Sequence, residues 1–134
     1  MPNVTLIRSD GLSETPGYAY ASLAAAGARV VHLAGACPLE ADGSVAQVGD
    51  FAGQTAKCIE NMLAALDAAG GVLRDVAYTR ILVASSRRED LGVVWEVVRQ
   101  AFVDHEVPST LFGVTVLGYE NQLVEIEAVA AVNG

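Results

Sequence analysis

The chain has little positive charge and few aromatic residues for its length. Among its 134 residues, 8 Lys and Arg stand against 16 Asp and Glu, and only 6% are aromatic. Non-specific binding to nucleic acid depends on basic residues that neutralise phosphates, so this acidic balance disfavours a nucleic-acid partner. Attraction to an acidic membrane leaflet is disfavoured for the same reason. We therefore expect neither nucleic acid nor a membrane among its partners.

Cysteines and long apolar runs are also scarce. Cys37 and Cys58 form no CxxC pair and have no histidine at zinc spacing, so no metal site is predicted. No run of apolar residues approaches the roughly 18 needed to span a membrane, and the first residues lack the pattern of a secretory signal. These absences predict a cytoplasmic protein whose two thiols are free.

Phosphate-binding loops and nucleophile motifs are missing as well. The sequence has no GxxxxGK[ST], no GxGxxG and no GxSxG, so no nucleotide or other cofactor is expected. What it does have is a hydrophobic fraction of 52% with 18% charged residues, which is typical of a folded globular chain. Its length predicts a single domain over residues 1–134.

Two segments have the spacing of amphipathic helices. The first begins after Asp50, whose side chain can cap a first turn, and it carries apolar residues at helical spacing before a terminating glycine pair: Ile59, Leu63, Leu66 and Gly70-Gly71. The second extends from about Arg88 to His105 and carries a similar stripe: Leu91, Val94, Val98 and Phe102. His105 is expected to have a structural role at this helix end.

Short β-branched runs predict strands between and beside these helices. The candidates are Val4–Arg8, Tyr18–Leu23, Arg29–Gly35, Ala77–Ala84, Thr110–Val116 and Leu123–Val132. The resulting order predicts an α+β fold with two helices on one face of a mixed sheet. His32, inside an apolar strand, is expected to be packed. The other face of the sheet needs a cover, which self-association supplies most simply.

The last strand carries two glutamates in alternation with apolar residues. Period-2 geometry places Val124 and Ile126 on one face and Glu125 and Glu127 on the other. If the apolar pair faces the helices, both carboxylates point to the face that an oligomer would cover. A carboxylate there must be paired, hydrated or functional. Glu125 is therefore a candidate functional residue, with a plain ion pair or a solvated role as the alternatives.

Several ordered segments resemble the RidA family of reactive enamine/imine deaminases, also known as YjgF-type or endoribonuclease L-PSP proteins. GYAYA at 17–21 is similar to the family's G-P-Y-S-x-A, and LAGACPL at 33–39 to its V-S-G-Q-x-P-L. QTAKCIEN at 54–61 is similar to its helix start, and VEIEA at 124–128 to its closing strand. The resemblance implies a chorismate-mutase-like fold and a homotrimer around a central β-barrel, with small-molecule clefts between subunits.

The resemblance also implies candidate site residues. Glu125 matches the family carboxylate that holds or activates the attacking water, and Gly35 matches a backbone position at the cleft floor, with Ala36 beside it. Tyr18 matches the cleft tyrosine, and Tyr20 is the competing assignment. Trp95 stands where the family has asparagine, and we expect it to pack rather than to contact a ligand.

One family feature is missing, and its absence limits the predicted chemistry. Active members carry an arginine in P-x-R-[ST] that pairs with a substrate carboxylate. Here Ser109 takes that position with Thr110 next to it, and neither Arg80 nor Arg99 matches a family site. The sequence therefore predicts altered chemistry on an enamine-like or imine-like intermediate (hydrolysis, tautomerisation or dehydration) rather than standard 2-imino acid hydrolysis. A non-catalytic ligand-binding or regulatory trimer is the alternative. Endoribonuclease or translation-inhibitor activity ranks last, because basic residues are few.

Overall fold

Helices and strands follow one another in the order that the sequence predicts. The computed structural model describes residues 1–134. Its elements are β1 (Val4–Ile7), β2 (Ala21–Ala24), β3 (Arg29–Ala36), α1 (Phe51–Ala68), β4 (Val76–Val83), α2 (Arg88–Ala101), β5 (Ser109–Gly113) and β6 (Val124–Val132). A short 3-10 turn, Leu73–Asp75, leads into β4.

The strands form a mixed four-stranded sheet and a separate hairpin. In the sheet the order is β3-β6-β4-β5, with β5 parallel to β4 and the other pairs antiparallel. β6 therefore lies inside the sheet with a partner on each side. β1 and β2 pair only with each other, so the predicted single sheet is divided into two. The α+β class, with both helices packed on a mixed sheet, is confirmed.

The first helix begins and ends where its capping residues predict. The carboxylate of Asp50 accepts a hydrogen bond of 2.9 Å from the amide of Gly53, which satisfies one of the free amides of the first turn. Gly70 has a φ of 85°, a left-handed conformation that glycine adopts at little cost, and the chain turns away there. Neither α1 nor α2 is both long and apolar enough to cross a membrane.

The second helix is shorter than its apolar stripe predicts. It ends at Ala101, with Phe102 as its C-cap, instead of continuing to His105. The ring of His105 is buried and its Nε2 lies 2.7 Å from the carbonyl oxygen of Val76 at the start of β4. The early end of α2 is thus accompanied by a hydrogen bond between His105 and β4, which helical periodicity cannot reveal. The structural role expected for His105 is confirmed.

The sheet buries one face and leaves the other without a covering layer. On β6, Val124 and Ile126 are fully buried beneath the helices, whereas Glu125 and Glu127 alternate with them on the opposite side. We call this second side the open face. It also carries Tyr78, Arg80 and Leu82 from β4, Thr110 and Phe112 from β5, and His32 from β3. The expectation that His32 is packed is wrong for this chain. His32 is exposed, because no other part of the chain covers the open face there.

Candidate functional site

The carboxylate of Glu125 is held on the open face by two donors at one oxygen. Its Oε1 accepts a hydrogen bond of 3.1 Å from Nε2 of Gln122 and one of 3.3 Å from the thiol of Cys37. No protein group donates to Oε2. Glu125 pairs with Leu82 of β4, and β6 also pairs with β3 from Ile126 onward, so the sheet supports the backbone at Glu125. One oxygen is therefore positioned, and the other is free to accept a proton or hold a water.

Gly35 is the residue against which this carboxylate lies. A β-carbon built at position 35 would collide with the carboxylate and Cγ of Glu125. The β3–β6 register also shifts between Leu33 and Ala36, so a local irregularity lies at this point. A glycine at position 35 thus allows the carboxylate of Glu125 to lie in this place, since any side chain would displace it.

Cys37 donates to Glu125 as a protonated thiol. Burial, followed by the hydrogen bond to Glu125 and the charge of its carboxylate, raises the pKa of Cys37 to about 11. The thiol therefore remains a donor, not a thiolate nucleophile, near neutral pH. Cys37 and Cys58 are both free, as predicted, and Cys58 is fully buried.

Ala36 does not lie with Glu125. It pairs with Ile126 on the helix-covered side and packs against the hydrophobic core. Its assignment to a substrate cleft stays a prediction, although strand alternation turns its side chain away from Glu125.

Ser109 and Thr110 point to opposite sides of the sheet. Ser109 Oγ lies 2.7 Å from Oγ1 of Thr79, which is fully buried beneath the helices. Thr110 Oγ1 lies 2.8 Å from the hydroxyl of Tyr78 on the open face. Of the two residues, Thr110 therefore shares a face with Glu125. The sequence-based assignment of the arginine position to Ser109 therefore places that position on the side of β5 opposite to Glu125.

Tyr18 belongs to a second cluster, outside the open face. Its ring packs edge-on against Trp95 of α2, with centroids 5.9 Å apart. Trp95 Nε1 donates a 2.8 Å hydrogen bond to the carbonyl of Pro16. Together with Ser109 and Leu111, these three residues line a cavity of about 250 Å³, which we call the edge pocket. Trp95 packs as expected, but it also forms a wall of this pocket.

Tyr20, the competing tyrosine, lies in a different depression. Its hydroxyl donates to the carbonyl of Ser13 at 2.7 Å and lies 2.9 Å from the Ser13 hydroxyl. That depression is formed mainly by the loop between β1 and β2. Tyr20 therefore serves the fold of this loop, and Tyr18 is the tyrosine that lines the edge pocket.

The sequence-predicted residues thus separate into two groups that do not meet in one chain. Glu125, Gly35 and Thr110 belong to the open face, whereas Tyr18 and Ser109 line the edge pocket. Glu125 lines none of the cavities of the single chain. The largest cavity, about 670 Å³, lies instead between the β4–α2 loop and the end of β5. There the Ser85 hydroxyl is already bonded to Asp90, and no predicted site residue lines it.

Sequence reasoning missed three neighbours of Glu125. Cys37 lies two residues after Gly35 in a loop, and Gln122 precedes β6 in another loop, so no periodicity points to either. Arg80 was identifiable: alternation along β4 places it on one face with Tyr78 and Leu82.

Comparison with known proteins identifies a family. The sequence model of the family described as endoribonuclease L-PSP matches residues 13–132 of this chain. A protein of the conserved Rid family from Yersinia pestis is 25% identical, with a TM-score of 0.85 and coverage of 97% of this chain and 99% of the other. A YjgF-family protein from Mycobacterium tuberculosis is 33% identical, with a TM-score of 0.64 and coverage of 96% and 99%. A Thermotoga maritima structure is 26% identical, with a TM-score of 0.71 and coverage of 97% and 98%.

Proposed function

The chain belongs to the endoribonuclease L-PSP family, which includes the Rid and YjgF proteins, and from this membership we propose that it acts on an enamine-like or imine-like metabolite with Glu125 as general base. The reaction is hydrolysis or a related proton-transfer step, such as tautomerisation or dehydration. The observation that carries the proposal is the carboxylate of Glu125, positioned through one oxygen and unbonded at the other.

For hydrolysis, the proposed step needs only a water and a proton acceptor. Glu125 Oε2 takes a proton from water while the water oxygen bonds to the C=N carbon, and the carboxyl group then passes that proton to the nitrogen. Glu125 next takes the hydroxyl proton of the carbinolamine and transfers it to the nitrogen as the C–N bond breaks, which releases the amine and leaves a carbonyl group. General-base assistance of this kind contributes about 10²- to 10⁴-fold to a rate. Gln122 and Cys37 keep the carboxylate in place during the step.

The proposed assembly is a homotrimer in the cytoplasm, with the clefts between its subunits. The support is physical: the open face lacks a cover, and it includes Leu82 and Phe112 as well as charged groups. Val30, on the exposed edge strand β3, is 58% exposed. Since the open face and the edge pocket lie apart in one chain, a cleft that needs both must take them from two copies.

The proposed substrate differs from that of standard family members. Neither Ser109 nor Thr110 of β5 is an arginine, so this strand offers no guanidinium for a carboxylate. We therefore do not propose standard 2-imino acid hydrolysis, in which an arginine of β5 binds the substrate carboxylate.

The test compares Glu125→Gln with Glu127→Gln, which changes a carboxylate of the same strand and face two residues further on. Both variants and the wild type are assayed on a panel of unstable imines and enamines. We expect the first variant to lose about 10²-fold or more in turnover and the second to remain within severalfold of the wild type. Equal turnover by Glu125→Gln and wild type would refute the proposal.

The missing β5 arginine also favours a second candidate, a ligand-binding trimer without catalysis. Thermal-shift screening against metabolites separates the two candidates, because a ligand bound only by the folded state raises the melting temperature. A ligand that stabilises the protein and is recovered unchanged supports the binding role. A stabilising ligand that is consumed supports the enzyme.

A further inference from the structure

Two side-chain amides of α1 hold the two loops that carry the neighbours of Glu125. Gln54 is the first residue of the segment QTAKCIEN and Asn61 is the last. They are seven residues apart, about two helical turns, and therefore lie on one face of α1. Gln54 is fully buried and Asn61 is partly buried. Neither side chain makes a hydrogen bond to Glu125 itself, and the proposed function assigns no role to either.

Gln54 holds the loop that carries Gln122. Its Oε1 accepts a hydrogen bond of 2.7 Å from the amide of Leu123, and its Nε2 donates one of 3.0 Å to the carbonyl of Asn121. These two backbone groups flank Gln122, so the backbone of Gln122 is held on both sides. The Gln122 side chain is buried, and its Oε1 accepts a hydrogen bond of 3.1 Å from the amide of Tyr119. That bond orients the side-chain amide with Nε2 toward the carboxylate of the proposed base.

Asn61 holds the loop that carries the second donor, Cys37. Its Nδ2 donates hydrogen bonds of 2.9 Å to the carbonyls of Cys37 and of Leu39. One amide group thus fixes the chain on both sides of Pro38, directly after the end of β3. The thiol of Cys37 then donates to Oε1 of Glu125 at 3.3 Å. A polar network whose members are all satisfied in this way specifies one conformation of the loop.

Both connections from α1 end at the same oxygen atom. Gln122 and Cys37 donate to Oε1 of Glu125, so Oε2 stays free to take the proton. If either loop shifts, the carboxylate loses one donor and can rotate, and Oε2 then leaves its place. A misplacement of about 1 Å in a reacting group costs up to about 10²-fold in rate.

We infer that Gln54 and Asn61 are positioning residues for the proposed reaction, because each holds one of the two loops whose donors orient the carboxylate of Glu125. The inference rests on the proposed function. It adds a role for α1, a helix that contacts the base only through these loops. The two residues act on different loops, so each can be tested without the other.

The test measures kcat and KM of Gln54→Met and Asn61→Ala, each in the wild type and in Glu125→Gln, at a temperature where circular dichroism shows the proteins to be folded. The substrate is the imine of the panel that the wild type hydrolyses fastest. In the wild-type background we expect each variant to lose at least about tenfold in kcat, with KM within about twofold. In the Glu125→Gln background we expect no further loss, because the base whose position they hold is already absent.

Thr55→Val is the matched control on the same helix. The hydroxyl of Thr55 is fully buried and donates a hydrogen bond of 2.7 Å to the carbonyl of Phe51, inside α1. Its loss should lower the melting temperature and leave kcat at the wild-type value. If Gln54→Met does not fold, Gln54→Glu replaces it, because the carboxylate keeps an acceptor for the amide of Leu123.

A second measurement needs no substrate. Asn61→Ala frees the loop that presents the Cys37 thiol to Glu125, and a thiol away from that carboxylate ionises more readily. Alkylation of the folded protein by iodoacetamide should therefore be severalfold faster in Asn61→Ala than in the wild type, and unchanged in Thr55→Val. The other thiol, Cys58, is fully buried and does not compete.

The outcomes separate failure of this inference from failure of the proposed function. If kcat falls by the same factor in both backgrounds, the defect is a general structural one and the inference is wrong, although Glu125 remains the base. Wild-type kcat in Gln54→Met and Asn61→Ala, or unchanged alkylation in Asn61→Ala, would also contradict it. Equal turnover by Glu125→Gln and the wild type would refute the proposed function and the inference together.

Discussion

The open face and the edge pocket differ in how their functional groups are held. Glu125 projects from β6, which is hydrogen-bonded on both sides within the sheet. Tyr18 lies in the connection between β1 and β2, where the backbone amide of the next residue, Ala19, bonds to the carbonyl of Glu106 at 2.8 Å. A rigid strand presents the charged groups, and a loop packed on α2 presents the aromatic ones. The proposed proton transfer therefore takes place at the more rigid of the two regions.

The two regions also differ in what they lack. The open face has hydrogen-bonding groups and charge but no enclosing walls, whereas the edge pocket has aromatic walls and no charged group. The two regions thus have complementary features. In the proposed function, the cleft forms where the open face of one copy meets the edge pocket of another.

The largest loss of turnover is expected from a substitution at Gly35, where the backbone and the carboxylate of Glu125 are in close contact. Gly35→Ala forces the carboxylate of Glu125 out of its position, because the new methyl group overlaps its atoms. We expect turnover to fall about 100-fold, as for loss of the base, with little change in melting temperature, since the displaced group is the end of a side chain.

Gly92→Ala is the control for this change. Gly92 lies in α2 with open space around the added methyl group, so the substitution should leave turnover unchanged and slightly stabilise the helix. Unchanged turnover in Gly35→Ala would show that the position of Glu125 relative to β3 is unimportant.

The next effect distinguishes the two faces of β5. Ser109→Ala leaves the buried hydroxyl of Thr79 without its partner, which should cost about 1–3 kcal/mol of unfolding free energy. Thr110→Ala exposes the Tyr78 hydroxyl to water and should cost less than about 0.5 kcal/mol, while weakening ligand binding at the open face. Urea unfolding of both variants measures the difference. Equal stability losses would contradict the assignment of Ser109 to the buried side.

The smallest effect concerns the thiol that positions Glu125. Burial and the adjacent carboxylate raise the pKa of Cys37 from 9.0 to about 11. Between these two pH values the folded chain keeps a thiol proton that the unfolded chain releases. The unfolding free energy should therefore decrease as pH rises through this window.

Cys37→Ser isolates this contribution, because its hydroxyl can still donate to Glu125 but does not titrate. Burial, which is the largest cause that raises the pKa of Cys58, is the same in both proteins, whereas the smaller contribution of Cys37 to that pKa is lost in the variant. Melting temperatures of the variant, followed by circular dichroism from about pH 9 to 11, should decline less steeply than those of the wild type. Parallel declines would mean that the Cys37 proton is not retained on folding.

Local signals predicted the framework of this fold well. The cap at Asp50, the glycine at position 70 and the alternation along β6 are all governed by neighbours in sequence, and all were confirmed. The end of α2 was missed because His105 bonds to Val76, a contact between distant segments. The separate hairpin was missed because nothing in the sequences of β1 and β2 indicates that they pair with each other and not with the four-stranded sheet.

The candidate site was predicted less completely than the fold. Glu125 and Gly35 lie in close contact in the structure, and their roles in a site stay predictions. The assignment of the arginine position to Ser109 stays a prediction, but Thr110 is the residue that shares a face with Glu125, because alternation along β5 turns Ser109 toward Thr79.

Complementation between two inactive variants tests directly whether one cleft draws on two copies. Glu125→Gln and Tyr18→Ala are each expected to be inactive alone, because each destroys one region. When the two are unfolded, mixed in equal amounts and refolded together, random assembly should leave about one quarter of the clefts with both regions intact. Recovery of about a quarter of wild-type turnover is the predicted result. A mixed assembly of the wild-type oligomeric mass with no recovered turnover would contradict a cleft shared between copies.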